Sequence, residues 1–285
     1  VDTIVPGRIR DPKEAAAVAE RLGYEDPFLA VREPFQMWGI QGDESLAEKL
    51  PFVKAGLPGV FVTPDVTPYK KRKVRILNGA HTAFVPGSWV AGFDIVRDCM
   101  HDETVRGFMN TMLYHEVIPT LAADLDVEDC KAFAAAVENR FDNPFIDHVL
   151  LSICLNSTAK WRARDLPTLK DYVAETGSLP KCLTTSLATL IAFYTQELVS
   201  REGDGLHLRR ADGTEYTAQD DAFVLDFYAA HAGADDAELV HDVLTNEQMW
   251  GEDLTQIAGL EEFVVNALTV VRAEGVKQAF ANAQA

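Results

Sequence analysis

The chain has 285 residues, with 44 acidic against 26 basic side chains for a formal net charge of −18, and 47% of its residues are hydrophobic. That length and apolar content exclude a disordered chain and allow one large domain or two modest ones, while the charge argues against nucleic acid as a partner. No apolar run approaches the ~20 residues of a membrane span, and Cys99, Cys130, Cys154 and Cys182 form no C-x-x-C pair, so they read as buried thiols of a cytoplasmic protein.

In chain order, Asp11-Pro12-Lys13-Glu14 opens the first helix with a cap, a first-turn proline and an acidic third position, and Gly23 closes it. The stretch to Thr67 is rich in proline and glycine; short apolar runs such as Gly59-Val60-Phe61-Val62 predict one or two small strands among loops. From Thr67-Pro68 onward the apolar period lengthens to that of helices, predicted at 68–82, 94–100, 103–123, 127–141, 144–159, 166–175, 181–201, 219–232, 235–245 and 261–282. The fold class is therefore mainly α, with residues 1–67 a loop-rich segment packed on a helical body at 68–285. One excursion interrupts the helices: Leu206–Arg209 and Thr214–Thr217 flank Asp212-Gly213, a hairpin signal. Asp142-Asn143-Pro144 reads as a helix cap, and Trp38, Trp89, Trp161 and Trp250, which share no spacing, as core.

Chemistry concentrates at residues 66–82. Thr67 can cap and Pro68 can take the first helical position. At about 100° per residue, Asn78 lies about 140° and His81 about 80° from Lys73, so the three share one broad helix face. A lysine, an amide and an imidazole there offer a proton acceptor, a donor for a developing alkoxide and an orienting group. The same spacing also fits a solvated lysine, an asparagine ending a helix before Gly79 and a satisfied histidine. Five of the six residues from Lys70 to Arg75 are cationic, a local field opposed to the global charge that would attract an anionic substrate. His115-Glu116 lacks a second histidine four residues after the first, so no zinc-protease pattern arises, and no metal is expected.

The run Lys73-Val-Arg-Ile-Leu-Asn78-Gly-Ala-His81-Thr resembles the central motif of the mannitol dehydrogenase family, the long-chain polyol and sugar-acid dehydrogenases, and its wording is most similar to the sugar-acid branch. Val1-Asp2-Thr3-Ile4-Val5-Pro6, Glu33-Pro34-Phe35-Gln36-Met37-Trp38, Arg140-Phe141-Asp142-Asn143-Pro144-Phe145-Ile146 and Asn156-Ser157-Thr158-Ala159-Lys160 resemble further family motifs in the family's order. The resemblance implies a helical C-terminal domain of the 6-phosphogluconate dehydrogenase-like type. It also implies an N-terminal Rossmann domain, in cis or as a separate fragment, that carries most of the NAD site. No Gly-x-Gly-x-x-Gly follows a predicted strand here, so that domain is expected to be absent from this chain and the chain alone inactive.

The resemblance further implies hydride transfer between nicotinamide and a secondary alcohol carbon, interconverting a keto sugar acid and an aldonate. Lys73 would exchange the hydroxyl proton, Asn78 would donate to the oxygen where charge develops, and His81 would hold a hydroxyl. A lysine amine titrates near ~10.4 in water, so a base of this kind needs burial or like charges around it. Lys160, Arg75, His148 and Asn156 are the expected substrate-binding residues; Ser152 stands where mannitol enzymes carry arginine, and Lys70 where they carry an acidic residue. Reduction of a stereoisomeric keto acid, or oxidation of a neutral polyol at C2, is the nearest enzyme alternative. A non-catalytic sugar-acid or protein binding module is the alternative of another class.

Overall fold

The computed structural model describes residues 1–5, 7–9 and 11–285; Pro6, the end of the first family-like motif, lies outside the described residues. The chain divides into two compact units, 1–71 with 143–148, and 72–142 with 149–285.

In the first unit, β1 (Gly7–Arg8) precedes α1 (Pro12–Leu22) and pairs antiparallel with β2 (Ala30–Val31). The caps of α1 act as their residue types predict: the Asp11 carboxylate accepts from the Lys13 N–H at 2.9 Å, and Gly23 ends the helix at φ 78°. The loop-rich stretch holds more order than its composition predicts. Strands β3 (Trp38–Gln41) and β4 (Val60–Thr63) pair in parallel, joined by α2 (Glu44–Lys49) and α3 (Pro51–Lys54). Parallel strands need such a helical crossover, but α2 and α3 bury no residue, so no apolar period announces them. Two of the family-like segments meet here. Asp2 and Met37 exchange backbone hydrogen bonds at 2.8 and 2.9 Å, and the buried Glu33 carboxylate accepts the Ile4 N–H at 2.6 Å. Trp38, expected in a core, is 45% exposed and stacks on Phe52. Helix α4 (Thr67–Arg72) starts one residue early, because Asp65 rather than Thr67 supplies the cap, accepting the Thr67 N–H at 2.8 Å.

The second unit is helical, as predicted. A π turn at Lys73–Asn78 leads into α5 (Gly79–Val90), followed by α6 (Val96–His101), α7 (Glu103–Thr111), a second π turn at Met112–Val117 and α8 (Val127–Phe141). Then come α9 (Leu150–Ile153), α10 (Ser157–Arg164), α11 (Leu166–Thr176), α12 (Lys181–Tyr194), β5 (Glu197–Glu202), β6 (Gly205–Arg209) and β7 (Glu215–Ala218). Helices α13 (Ala222–Ala230), α14 (Asp236–Leu244), α15 (Glu247–Trp250), α16 (Leu260–Glu274) and α17 (Val276–Gln284) complete the chain. Every residue of α5 from Gly79 to Trp89 is buried. Gly87 lets its neighbours close in, since a Cβ there would stand 2.8 Å from the Phe280 ring and 3.0 Å from Thr189 of α12. Phe108 stacks on Phe280 at 3.9 Å, and Trp161 meets Trp250 edge-on. All four cysteines are buried and unbridged. No helix among the described residues is long and apolar enough to cross a membrane.

Four predicted segments come out differently, each for a local reason. The 144–159 segment is not one helix: α9 is a single turn, and Asn156 adopts the left-handed conformation at φ 53°. Asn143 there closes a turn onto the Phe145 N–H at 3.0 Å, and Asp142, which ends α8, pairs with His101 at 2.7 Å, so neither caps a following helix. The 103–123 helix passes into the second π turn and then a short tight turn at Pro119, which has no N–H to continue the ladder. Gly275, at φ 91° and ψ 163°, divides 261–282 into α16 and α17. Finally 181–201 leaves the helix after Tyr194 to form β5, so the predicted hairpin is the second half of a three-stranded antiparallel meander, β5-β6-β7. Arg210 pins that sheet to the end of α5, its guanidinium lying over the Trp89 ring and donating to the Trp89 carbonyl at 3.0 Å. Tyr216, whose ring meets Trp89 edge-on, donates its hydroxyl to the Phe193 carbonyl.

The second π turn delivers a buried carboxylate to α12. Pro180 precedes that helix and offers no side-chain acceptor, so Glu116 accepts the N–H groups of Cys182 at 2.7 Å and Leu183 at 2.9 Å. Burial outweighs these donors and pushes the Glu116 carboxyl up from 4.5 to about 7. A folded-state value raised in this way contributes stability that is full below about pH 4.5 and is lost as pH rises through about 7. Urea unfolding between pH 4 and pH 8 is therefore expected to show a loss of about 3 kcal/mol that is absent in Glu116→Gln. Parallel profiles for the two proteins would remove Glu116 as the titrating group.

Candidate active site

The three candidate residues on the 66–82 helix fall on both sides of a change in winding. The Gly79 N–H donates to the Val74 carbonyl five residues back, and to that of Ile76, so the helix is widened over Lys73–Asn78. A π turn inserts one residue, which draws positions five apart toward one side. Lys73 opens this turn and Asn78 ends it, with His81 in the first turn of α5. Asn78 is therefore no helix terminator; the helix continues through it to Val90.

His81 is 6% exposed and lies flat on the Phe141 ring, centroids 4.0 Å apart. Asn78 is held by its backbone: its carbonyl accepts the Thr82 hydroxyl at 2.9 Å and Arg164 at 3.4 Å, and Arg164 also donates to Thr82 Oγ1 at 3.0 Å. The Asn78 Oδ1 atom is buried without a hydrogen-bond partner among the described residues. Arg164 belongs to α10, which packs on α5 and on the π turn. Lys160 lies one turn earlier on α10, half-buried, with Nζ donating to the Ile153 carbonyl at 2.9 Å. Burial and then the charge of Arg164 lower its pKa, while Asp220 opposes them.

Within the second unit, the cations of the 70–75 run have separate surroundings. Arg72 lies over the Phe133 ring at 4.7 Å. Arg75 donates to the Thr168 hydroxyl and pairs with Asp171 at 3.1 Å, both on α11, with 12% of its side chain exposed. Its guanidinium thus ties two helices, where the sequence suggested a substrate carboxylate. Lys70 and Lys71 belong to the first unit, as does His148, whose imidazole burial lowers to about 4 and so keeps neutral at pH 7. Asn156 is exposed, and its N–H donates to the Gln219 carbonyl. Because 144–159 is not one helix, the spacing that was to align His148 with Asn156 does not exist.

Two residues that pack against the candidate residues escaped the sequence reading, Arg164 and Asp165. Asp165, 2% exposed, places Oδ1 2.8 Å from where a Cβ on Gly79 would stand. Burial pushes its carboxyl well above the usual range against the opposing charges of Arg164 and Arg75. The i, i+4 spacing of Lys160 and Arg164 was a usable signal. Asp165 instead mimics a cap before Leu166-Pro167, yet makes no side-chain cap bond there.

Residues 65–272 match the model of the mannitol dehydrogenase C-terminal domain, and the chain belongs to that family. An altronate oxidoreductase of Escherichia coli is 43% identical over 98% of this chain and 55% of its own length, and one of Shigella flexneri is 42% identical over the same shares. In fold, Pseudomonas fluorescens mannitol 2-dehydrogenase, solved as a ternary complex with NAD and D-mannitol, superposes with a TM-score of 0.79 at 22% identity, over 99% of this chain and 53% of that one. The chain thus spans about half the length of the relatives it matches.

The one parallel crossover among the described residues, β3 to α2, does not fit a dinucleotide pyrophosphate, for it carries a single glycine at its turn, Gly42. Asp43 already occupies the helix N-terminus, accepting from Ser45 at 2.9 Å and Leu46 at 3.2 Å, where a phosphate would need free donors.

Gly79 is in ordinary helical conformation, where alanine is intrinsically favoured by up to ~1 kcal/mol. Gly79→Ala is nevertheless expected to destabilise by about 1–3 kcal/mol in urea titration, because the buried Asp165 carboxylate has nowhere to retreat. The loss should shrink in an Asp165→Ala background; equal losses in both backgrounds would assign it elsewhere.

Proposed function

We propose that this chain is the substrate-binding and catalytic part of an NAD-dependent oxidoreductase that interconverts a keto sugar acid, tagaturonate, and its aldonate, altronate. The observation that carries the reading is the joining of Lys73, Asn78 and His81 through one π-widened helix, with Lys160 and Arg164 on the helix packed against it. Nicotinamide, held mainly by residues outside this chain, supplies the hydride acceptor when bound. In the oxidation direction Lys73 takes the proton of the reacting hydroxyl. The Asn78 side-chain amide donates to that oxygen as charge develops, a role that a fixed donor in a water-poor site performs without reorganising. Arg164 keeps the amide in place through the Asn78 carbonyl. His81, its ring fixed against Phe141, hydrogen-bonds a neighbouring hydroxyl. Lys160 is the cation that meets the substrate carboxylate, in place of Arg75, which is paired with Asp171.

In the full-length protein, Lys73→Ala is expected to lower kcat by about 100- to 10,000-fold, the usual contribution of a positioned acid/base group, with Tm within a few degrees of wild type. Turnover near wild type would sink the assignment. A panel of altronate, mannonate and mannitol tests the substrate class: the sugar-acid reading requires both aldonates to exceed mannitol in kcat/KM, and altronate to exceed mannonate. Preference for mannitol overturns it.

A further inference from the structure

We propose that Asp220 is a positioning residue for the sugar-acid site, fixing the first turn of α10 and through it the placement of Lys160; the inference rests on the reading of Lys160 given above. Helix α10 begins without a cap of its own. A capping residue normally has extended backbone and a side chain that accepts an N–H of the second or third helical residue. Asn156 instead sits in the left-handed region at φ 53° and makes no such bond. Its place is taken from 62 residues downstream, where Asp220 Oδ2 accepts the Thr158 N–H at 3.0 Å. The preceding residue acts in the same direction, the Gln219 carbonyl accepting the Asn156 N–H at 2.9 Å. Two consecutive residues that follow β7 therefore hold the start of the helix bearing Lys160.

Asp220 is itself held rigidly. The Tyr194 hydroxyl donates to the same Oδ2, and the Asp221 N–H donates to Oδ1 at 2.8 Å. Tyr194 is 1% exposed and stacks on Tyr228 at 4.7 Å with an interplanar angle of 7°. Lys160 follows Thr158 by two residues, and its Nζ is tied to the Ile153 carbonyl, so the turn between Thr158 and Lys160 is fixed at both ends. The carboxylate also places negative charge at the helix N-terminus, where the helix dipole favours it, and opposes the loss of charge on Lys160. The three-stranded sheet, pinned by Arg210 and Tyr216, supplies the backbone from which Asp220 reaches α10.

The test uses the full-length enzyme with altronate as substrate and compares Asp220→Ala, Asp220→Asn, Lys160→Met and the double variant Asp220→Ala/Lys160→Met. Asp220→Ala is expected to raise KM about tenfold with kcat within about threefold, the size of effect that loss of a cap carries. In Asp220→Asn the amide oxygen still accepts from Thr158 and Tyr194 and only the acceptor of the Asp221 N–H is lost, so KM should return to within about threefold of wild type. In the Lys160→Met background the Asp220→Ala change should add less than about twofold, because both act through one side chain. A fall in Tm with KM unchanged, or a full tenfold effect added to Lys160→Met, overturns the proposal and leaves the Lys160 reading standing. An unchanged KM in Lys160→Met overturns both. If Asp220→Ala does not fold, Tyr194→Phe, which removes one donor to Asp220 and leaves the bonds of Asp220 and Gln219 to the backbone N–H groups of Thr158 and Asn156 in place, is expected to raise KM by about two- to threefold; no change overturns the proposal.

Discussion

The approach of the Asp165 carboxylate to the α-carbon of Gly79 sets how near α10 can come to the helix carrying Lys73, Asn78 and His81. Any side chain at position 79 would meet Oδ1 at 2.8 Å, and the carboxylate is buried, so it has no alternative position in water. Only with that gap closed can Arg164, the preceding residue, reach the Asn78 carbonyl and the Thr82 hydroxyl. Lys160 follows from the same approach, because it shares α10 with Arg164. A buried acid is costly in isolation, and here the guanidinium charges of Arg164 and Arg75 oppose the desolvation.

Both π turns trade helix regularity for the placement of polar groups. At Lys73–Asn78 the Gly79 N–H reaches back to Val74, and the Asn78 carbonyl is served by a side chain of its own helix and one from α10. At Met112–Val117 the Ile118 N–H reaches back to Leu113, and the turn carries Glu116 to the open N-terminus of α12. Single π turns inside α-helices often coincide with functional positions. Here one bears Lys73 and Asn78, two of the candidate catalytic residues, and the other a buried carboxylate that caps a helix of the core.

Much of the architecture was legible because it rests on local signals. Asp11 and Gly23 bound α1 through caps that need only neighbouring backbone, and the apolar period of 127–141 predicts α8 to the residue at its C-terminal end. The misreadings arose where a local backbone break or a distant partner overrides the apolar period. The split at Gly275 and the strand after Tyr194 interrupt segments whose apolar period continues, and the parallel β3–β4 pair depends on a crossover with no buried face. Arg75 showed its charge in the sequence, but not that Thr168 and Asp171, more than ninety residues on, would take its guanidinium.

The sequence by itself determined that the chain is mainly helical and strongly acidic in net charge, and that Lys73, Asn78 and His81 lie close together along one helix. These follow from composition, apolar period and spacing, which are properties of neighbouring residues. The tertiary structure alone decided that this helix widens at Lys73, that Arg164 and Asp165 brace it, and that Asp220 begins the helix of Lys160. Those contacts join residues 62 to 86 positions apart, and which distant groups meet is set by how the helices pack.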